Sequence, residues 1–273
     1  MVTLKEYLLH ILENYKNEIK NNYKDNPLSE YISAKAKTTI SEAIFPQEKY
    51  SIKGSSGQGR WATVPWMGIF DKEISISAQR GYYLVYLFKS DLSGVYLSLN
   101  QGYTDFKEKY KAPDRNTNIR LVSRYWQKQL HTITENNGSL FTTENISLTS
   151  SKSNTDLPRG YELGNIYSRY YSLEDLTQLT NNQLLNDLYQ MNTVFLELRT
   201  MITTAYDVCN DHIIKSNFEG SNLLNAQDKH DDLNNLNLGT EVLVSKIDFS
   251  LPKTTSKKFT HIDYNKRQQK TQV

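Results

Sequence analysis

Residues 54–102 combine glycine and aromatic residues more densely than any other part of the chain, and they read GSSGQGRWATVPWMGIFDKEISISAQRGYYLVYLFKSDLSGVYLSLNQG. A glycine-rich turn leads to Trp61 and Trp66. Two apolar runs follow, residues 82–88 and 95–99, separated by a short polar segment. Apolar runs of this length, bounded by turn residues, are typical of a β-hairpin. We therefore expect a sheet here, and we expect it to carry the functional site.

Helical patterns flank this sheet on both sides. Apolar residues recur at helical spacing after Thr3, which is followed by Glu6 in a capping-box pattern. The other predicted elements are a helix over 28–44, a strand over 50–53, helices over 103–110 and 116–131, two short strands within 140–148, and a long helix from Thr180 or Asn181 to Val208. The pattern predicts an α+β fold with a central curved, mainly antiparallel sheet, flanking helices, a long C-terminal helix and a polar tail. We expect residues 1–209 to form one domain and residues 210–273 to be a polar linker or tail.

Composition narrows the class of protein. The net charge is only +2, so a basic surface requires local clustering of cations. The single cysteine, Cys209, excludes an intramolecular disulfide framework and a multi-cysteine zinc site. It fits a reducing compartment, and we expect a cytoplasmic protein. Because the sequence has no apolar run of about 18 residues and no apolar segment after Met1, we expect neither a membrane span nor a signal peptide.

Motifs for nucleotide binding and catalysis are incomplete. Residues 54–59 have the GxxxxG spacing of a phosphate-binding loop, but Arg60 and Trp61 follow where that loop needs lysine and a hydroxyl residue. Residues 57–62 fit GxGxxA, yet Pro65 prevents the helix that would hold a pyrophosphate. The five histidines are scattered. We expect no cofactor, no metal and no catalytic residue, and we keep Asp105, in a nuclease-like D-x-K fragment, as the basis of an alternative endonuclease hypothesis.

Two features remain, a glycine loop beside aromatic residues and a basic segment with interleaved aromatics. Glycines allow close approach to a phosphate backbone, and aromatic faces stack on bases. The cations expected to bind phosphate are Lys107, Lys109, Lys111, Arg115, Arg120 and Arg124. This combination suits nucleic acid. The alternative is a protein-interaction module in which the aromatic residues are all core.

Four segments resemble one known family. Residues 57–66 (GQGRWATVPW), 81–88 (GYYLVYLF), 97–102 (LSLNQG) and 160–167 (GYELGNIY) are similar to the McrB-type N-terminal domain family, and the resemblance covers about residues 1–205. That family implies a domain that binds double-stranded DNA and flips a modified base out of the helix. Nucleotide hydrolysis and DNA cleavage are carried out by other parts of the restriction system. The implied context is a modification-dependent restriction or defence system with a nuclease or motor subunit as partner.

The resemblance also implies roles for particular residues. Trp66 matches the aromatic residue that stacks on the flipped base, with Leu87 as the opposing apolar wall and Tyr83 as a pocket tyrosine. The loop of Gly57, Gln58, Gly59 and Arg60 would probe the duplex, although Gln58 replaces the tyrosine that fills the gap in the family's studied member. A basic segment at residues 257–270 resembles the lead-in to a nuclease-like region.

Overall fold

A computed structural model describes residues 2–41, 44–136, 140–149, 155–202 and 204–225. Its centre is a five-stranded antiparallel sheet in which each strand pairs with the next one along the chain. The strands are β1 (Tyr50–Gly57), β2 (Trp61–Asp71), β3 (Tyr82–Phe88), β4 (Gly94–Gln101) and β5 (Tyr167–Ser172). The predicted hairpin is confirmed as β3 and β4, because these apolar runs pair from Tyr82 to Phe88.

Helices surround this sheet, which confirms the predicted α+β class. They are α1 (Leu4–Glu18), α2 (Pro27–Ala36), α3 (Tyr103–Lys109), α4 (Asp114–Gln129), α5 (His131–Asn136), α6 (Leu157–Gly164), α7 (Leu173–Gln178), α8 (Asn181–Met201) and α9 (Tyr206–Asn225). Thr3 and Thr180 begin α1 and α8 with complete capping boxes. In each, the threonine side chain and the residue at the third helical position satisfy backbone donors that the first turn leaves free.

Three predictions about secondary structure are wrong. Helix α2 ends at Ala36 instead of continuing to residue 44, since the Thr38 and Thr39 hydroxyls donate to the last helical carbonyls. Residues 140–149 form no strand apart from one bridge, Thr142 to Ser168. The long C-terminal helix divides into α8 and α9 after Met201.

The sheet buries side chains on both of its faces. One face packs against α1, α2 and α8 and forms the larger core, which includes Leu84, Tyr86 and Leu97. The opposite face carries a second apolar cluster of Val64, Phe70, Tyr83, Val85, Leu87, Ile146, Leu148 and Tyr161. Side chains alternate between the faces along each strand, so Trp66 and Leu87 share the second face. This second face carries the candidate site.

The chain divides into two compact units, Met1–Asn217 and Phe218–Val273. Helix α9 crosses the boundary expected at residue 209, and Asn210, Ile213 and Ile214 are buried. The Trp126 indole donates to the Tyr82 hydroxyl at 2.7 Å, and this hydroxyl donates in turn to the Asn210 side-chain oxygen. The start of α9 is therefore packed into the first unit. Residues 226–273, including the basic segment 257–270, lie outside the described residues, and the division at 209 stays a prediction.

The Asn210→Ala variant should lower the free energy of unfolding by about 1–3 kcal/mol, because the buried Tyr82 hydroxyl would lose its acceptor. Urea unfolding measures the change. Lys215→Ala is the matched control, since Lys215 lies on the exposed side of the same helix and its loss should cost less than about 0.5 kcal/mol. Equal effects for the two variants would contradict the role given to Asn210.

Candidate nucleic-acid interface

A cavity of about 560 Å³ opens over the second face of the sheet. Its lining comes from β1, β2 and the turn between them, from residues 77–79 before β3, and from the starts of α3 and α6. Pockets that bury small organic ligands span about 300–1,000 Å³. The volume of this cavity lies within that range.

Trp66 presents the aromatic surface of this cavity. It lies on β2 opposite Leu87 of β3, and its side chain is half-buried. Its ring meets Phe70 edge to face, with centroids 6.2 Å apart and an interplanar angle of 83°. Burial raises the pKa of Tyr161 to about 12, against the opposing effect of a hydrogen bond with Trp66. Trp66 is thus fixed by two aromatic neighbours while part of its surface faces the cavity.

Tyr83 and Leu87 lie on β3 and face the same side of the sheet as Trp66, with Leu87 directly opposite Trp66, and both are fully buried. The Tyr83 hydroxyl donates to the carbonyls of Ala78 at 3.3 Å and Gln101 at 3.4 Å. Neither residue contributes to the cavity lining, which includes Trp66. Leu87 therefore lies beside Trp66, and Tyr83 packs against Phe70 with ring centroids 5.3 Å apart. Direct contact of Tyr83 and Leu87 with a base stays a prediction.

The turn between β1 and β2 stands at the edge of the cavity. Gly57 has φ +129°, and a Cβ there would lie 1.9 Å from the Arg60 carbonyl oxygen, so only glycine fits this turn. The Tyr23 hydroxyl donates to the Gly57 carbonyl at 2.7 Å and anchors the turn to the helical layer. Gln58 and Arg60 are exposed and contribute to the cavity lining. The structure therefore brings the predicted loop and Trp66 to one cavity.

Trp61 also borders the cavity, but its surroundings are structural. Its ring meets Tyr15 and Tyr23 edge to face, each with centroids 5.2 Å apart. Its indole nitrogen donates to the Asn21 carbonyl at 2.9 Å. Trp61 therefore joins the glycine turn to α1 and the segment after it.

Comparison with known protein families matches residues 10–200 to the MrcB-like, N-terminal domain. The chain belongs to this family. The finding confirms the McrB-type resemblance of the sequence motifs, and it supports a DNA-binding module of a restriction system. A search of curated proteins finds no match.

In this MrcB-like domain, the six cations expected at phosphates lie in different surroundings, and their contact with phosphate stays a prediction. Lys107 and Arg115 both contact the Asp156 carboxylate, with nitrogen-oxygen distances of 3.1 and 3.6 Å. Lys109 instead pairs at 3.2 Å with Asp105, whose side chain is only 5% exposed. Lys109 therefore compensates a buried charge, whereas Lys107 and Arg115 lie beside the cavity rim.

The remaining cations lie on or near α4. Lys111 and Arg124 are exposed. Burial lowers the pKa of Arg120, and the nearby charges of Arg159 and Arg124 lower it further. The Glu162 carboxylate opposes this effect and pairs with Arg159 at 3.1 Å. Arg159 of α6 joins this group although its isolated position in the sequence gave no signal.

Sequence reasoning also missed Lys53. Its ammonium donates to the Ile76 carbonyl at 2.9 Å and lies 5.9 Å from the centroid of the Phe70 ring. It contributes to the cavity lining together with Ser55 two residues later. The sequence could have indicated Lys53 through its spacing, because residues two apart on a strand face the same side of the sheet.

Within the described part of the MrcB-like chain, no group of three or more His, Cys, Asp or Glu side chains could hold a metal ion. The helices found there are also too short or too polar to cross a membrane.

Proposed function

We propose that this MrcB-like domain reads modified bases in double-stranded DNA for a modification-dependent restriction or defence system. It flips the modified base, in the first instance a methylated one, out of the duplex and into the cavity beside Trp66. The observation that carries the proposal is a half-buried tryptophan in a cavity of about 560 Å³, next to an exposed glycine loop. Membership of the family supplies the DNA-binding context.

The energetics of flipping fit this arrangement. Extruding a base costs a few kcal/mol of stacking and pairing. Stacking on an aromatic side chain returns about 1–3 kcal/mol per base. Because Trp66 already packs against Phe70 and the second apolar cluster, little further ordering of its side chain is needed when a base arrives.

The glycine turn would face the gap that the base leaves. Gln58 is exposed at the cavity, and its amide both donates and accepts hydrogen bonds. It therefore suits contact with the orphaned partner base, in place of an aromatic wedge. Arg60, exposed in the same turn, would contact the adjacent phosphates.

Cutting would belong to a nuclease partner or to a motor subunit, with residues 1–209 as the reading module and residues 210–273 as the connection. The Asp105 fragment gives the endonuclease alternative little support, since its carboxylate is buried and paired with Lys109. The interaction-module alternative requires Trp66 to be core, whereas its side chain is only partly buried and lines a cavity. This function implies a cytoplasmic protein, because the domain needs access to DNA.

Duplexes that contain one methylcytosine or one methyladenine should bind more tightly than the unmodified duplex of the same sequence. Fluorescence anisotropy across a salt series measures this difference, and 2-aminopurine beside the modified base reports flipping. Nonspecific binding lies at about 10⁻⁴–10⁻⁶ M at physiological salt. Equal affinities in that range for all three duplexes would overturn the proposal.

A further inference from the structure

Asp156 lies at the rim of the cavity, between two residues that line it, Thr155 and Leu157. Three groups surround its carboxylate. The Lys107 ammonium is 3.1 Å away, the Arg115 guanidinium is 3.6 Å away, and the Tyr103 hydroxyl donates at 3.3 Å. One acidic side chain thus pairs with two of the predicted phosphate-binding cations at the cavity rim and leaves a net charge of +1 among the three groups.

Asp156 does not have the role that its position at a helix start would predict. Asp156 is the N-cap of α6, where aspartate ordinarily accepts hydrogen bonds from the first helical turn. Here its side chain makes no capping hydrogen bond and turns toward α3 and α4. It remains 35% exposed, so water or an incoming anion has access to the group.

The surrounding framework holds a ready anion site. Arg115 lies over the Tyr103 ring, with its guanidinium carbon 5.1 Å from the centroid. Helix α6 packs closely on the same ring, because a Cβ on Gly160 would lie 2.2 Å from a Tyr103 ring carbon. Tyr103 therefore fixes both Arg115 and the start of α6. A carboxylate and a phosphate present the same acceptor chemistry to a lysine and an arginine.

We propose that the Asp156 carboxylate occupies, in the free protein, the anion site of Lys107 and Arg115 that a DNA phosphate takes in the complex, and that it thereby limits binding to unmodified DNA. This inference rests on the proposed function. A phosphate must displace the carboxylate before it contacts the two cations. Binding that depends on phosphate contacts alone is therefore weakened, and base flipping supplies the additional free energy for a modified site. Such restraint matters because unmodified sites greatly outnumber modified ones.

The test compares Asp156→Asn with the parent on unmodified and methylcytosine duplexes. Asp114→Asn is the matched control, since Asp114 is exposed at the start of α4, next to Arg115, and its loss changes the net charge equally. Tyr103→Phe keeps the charge of Asp156 and removes one hydrogen bond. Melting temperatures verify that all three variants are folded.

Asp156→Asn should bind the unmodified duplex severalfold more tightly than Asp114→Asn does. The affinity of Asp156→Asn should also depend more steeply on salt. For each phosphate contact that the variant gains, its affinity should fall by about a further threefold between about 50 and 200 mM salt. Tyr103→Phe should resemble the parent. If Asp156→Asn binds more weakly than the parent, Asp156 is a positioning residue. If it binds with the same affinity as Asp114→Asn, the effect comes only from the change in net charge. Either result overturns the inference. If the parent itself does not prefer the methylcytosine duplex, the proposed function fails instead.

Discussion

The Trp66→Ala variant is expected to bind a modified duplex about ten- to a hundredfold more weakly than the parent, because a stacked base contributes about 1–3 kcal/mol and each 1.4 kcal/mol is tenfold. Binding to the unmodified duplex should change little, since phosphate contacts supply most nonspecific affinity. Anisotropy titrations with both duplexes measure the two effects side by side. The Trp66→Phe variant keeps an aromatic face and should retain most of the preference.

Trp61→Ala is the matched control for this experiment, because it removes a second tryptophan from the same strand. Trp61 is held by Tyr15, Tyr23 and the Asn21 carbonyl, so its loss should lower the melting temperature more than the preference for modified DNA. If Trp66→Ala bound the modified duplex as tightly as the parent does, stacking on Trp66 would be excluded. A Trp66→Ala protein that failed to fold would favour the interaction-module alternative.

The central hairpin and the capped helices could be predicted from the sequence because their signals are local. Residues 82–88 and 95–99 are apolar runs bounded by turn residues, and Thr3 and Thr180 begin capping boxes. Trp66, which lines the cavity, likewise lies in a contiguous motif that resembles the family, and its role in the site stays a prediction.

Elements that depend on distant partners could not be predicted. Residues 140–149 have strand-like composition, but their backbone is satisfied elsewhere: the Leu148 amide donates to the Glu162 carboxylate at 2.9 Å and the Leu148 carbonyl accepts from Ser90 at 2.8 Å. Strand propensity depends on such context. Polar composition likewise concealed α9, whose buried residues recur at helical spacing as Asn210, Ile213 and Ile214.

The charge pattern of the site was the hardest part to anticipate. The sequence shows six cations in one basic segment, but it does not show that Asp156, which is 49 residues from Lys107, meets them. Only the packing of α6 on Tyr103 brings the carboxylate to that point. A basic segment therefore overstates the positive surface whenever a distant acidic residue packs into it.

The Leu87→Ala variant should lose about 2–5 kcal/mol of unfolding free energy, the usual cost of truncating a buried leucine. Leu87 is fully buried at the centre of the second apolar cluster, opposite Trp66 on one side and Tyr96 on the other. Urea unfolding measures the loss, and Leu87→Met, which conserves volume, should cost less than about 1.5 kcal/mol. The binding of Leu87→Ala is measured at low temperature, where the variant is folded. Its preference for modified DNA should fall less than that of Trp66→Ala. This follows because Leu87 supports the stacking residue in the structure and does not itself line the cavity. Unchanged stability with a lost preference would instead make Leu87 the direct apolar wall against the base.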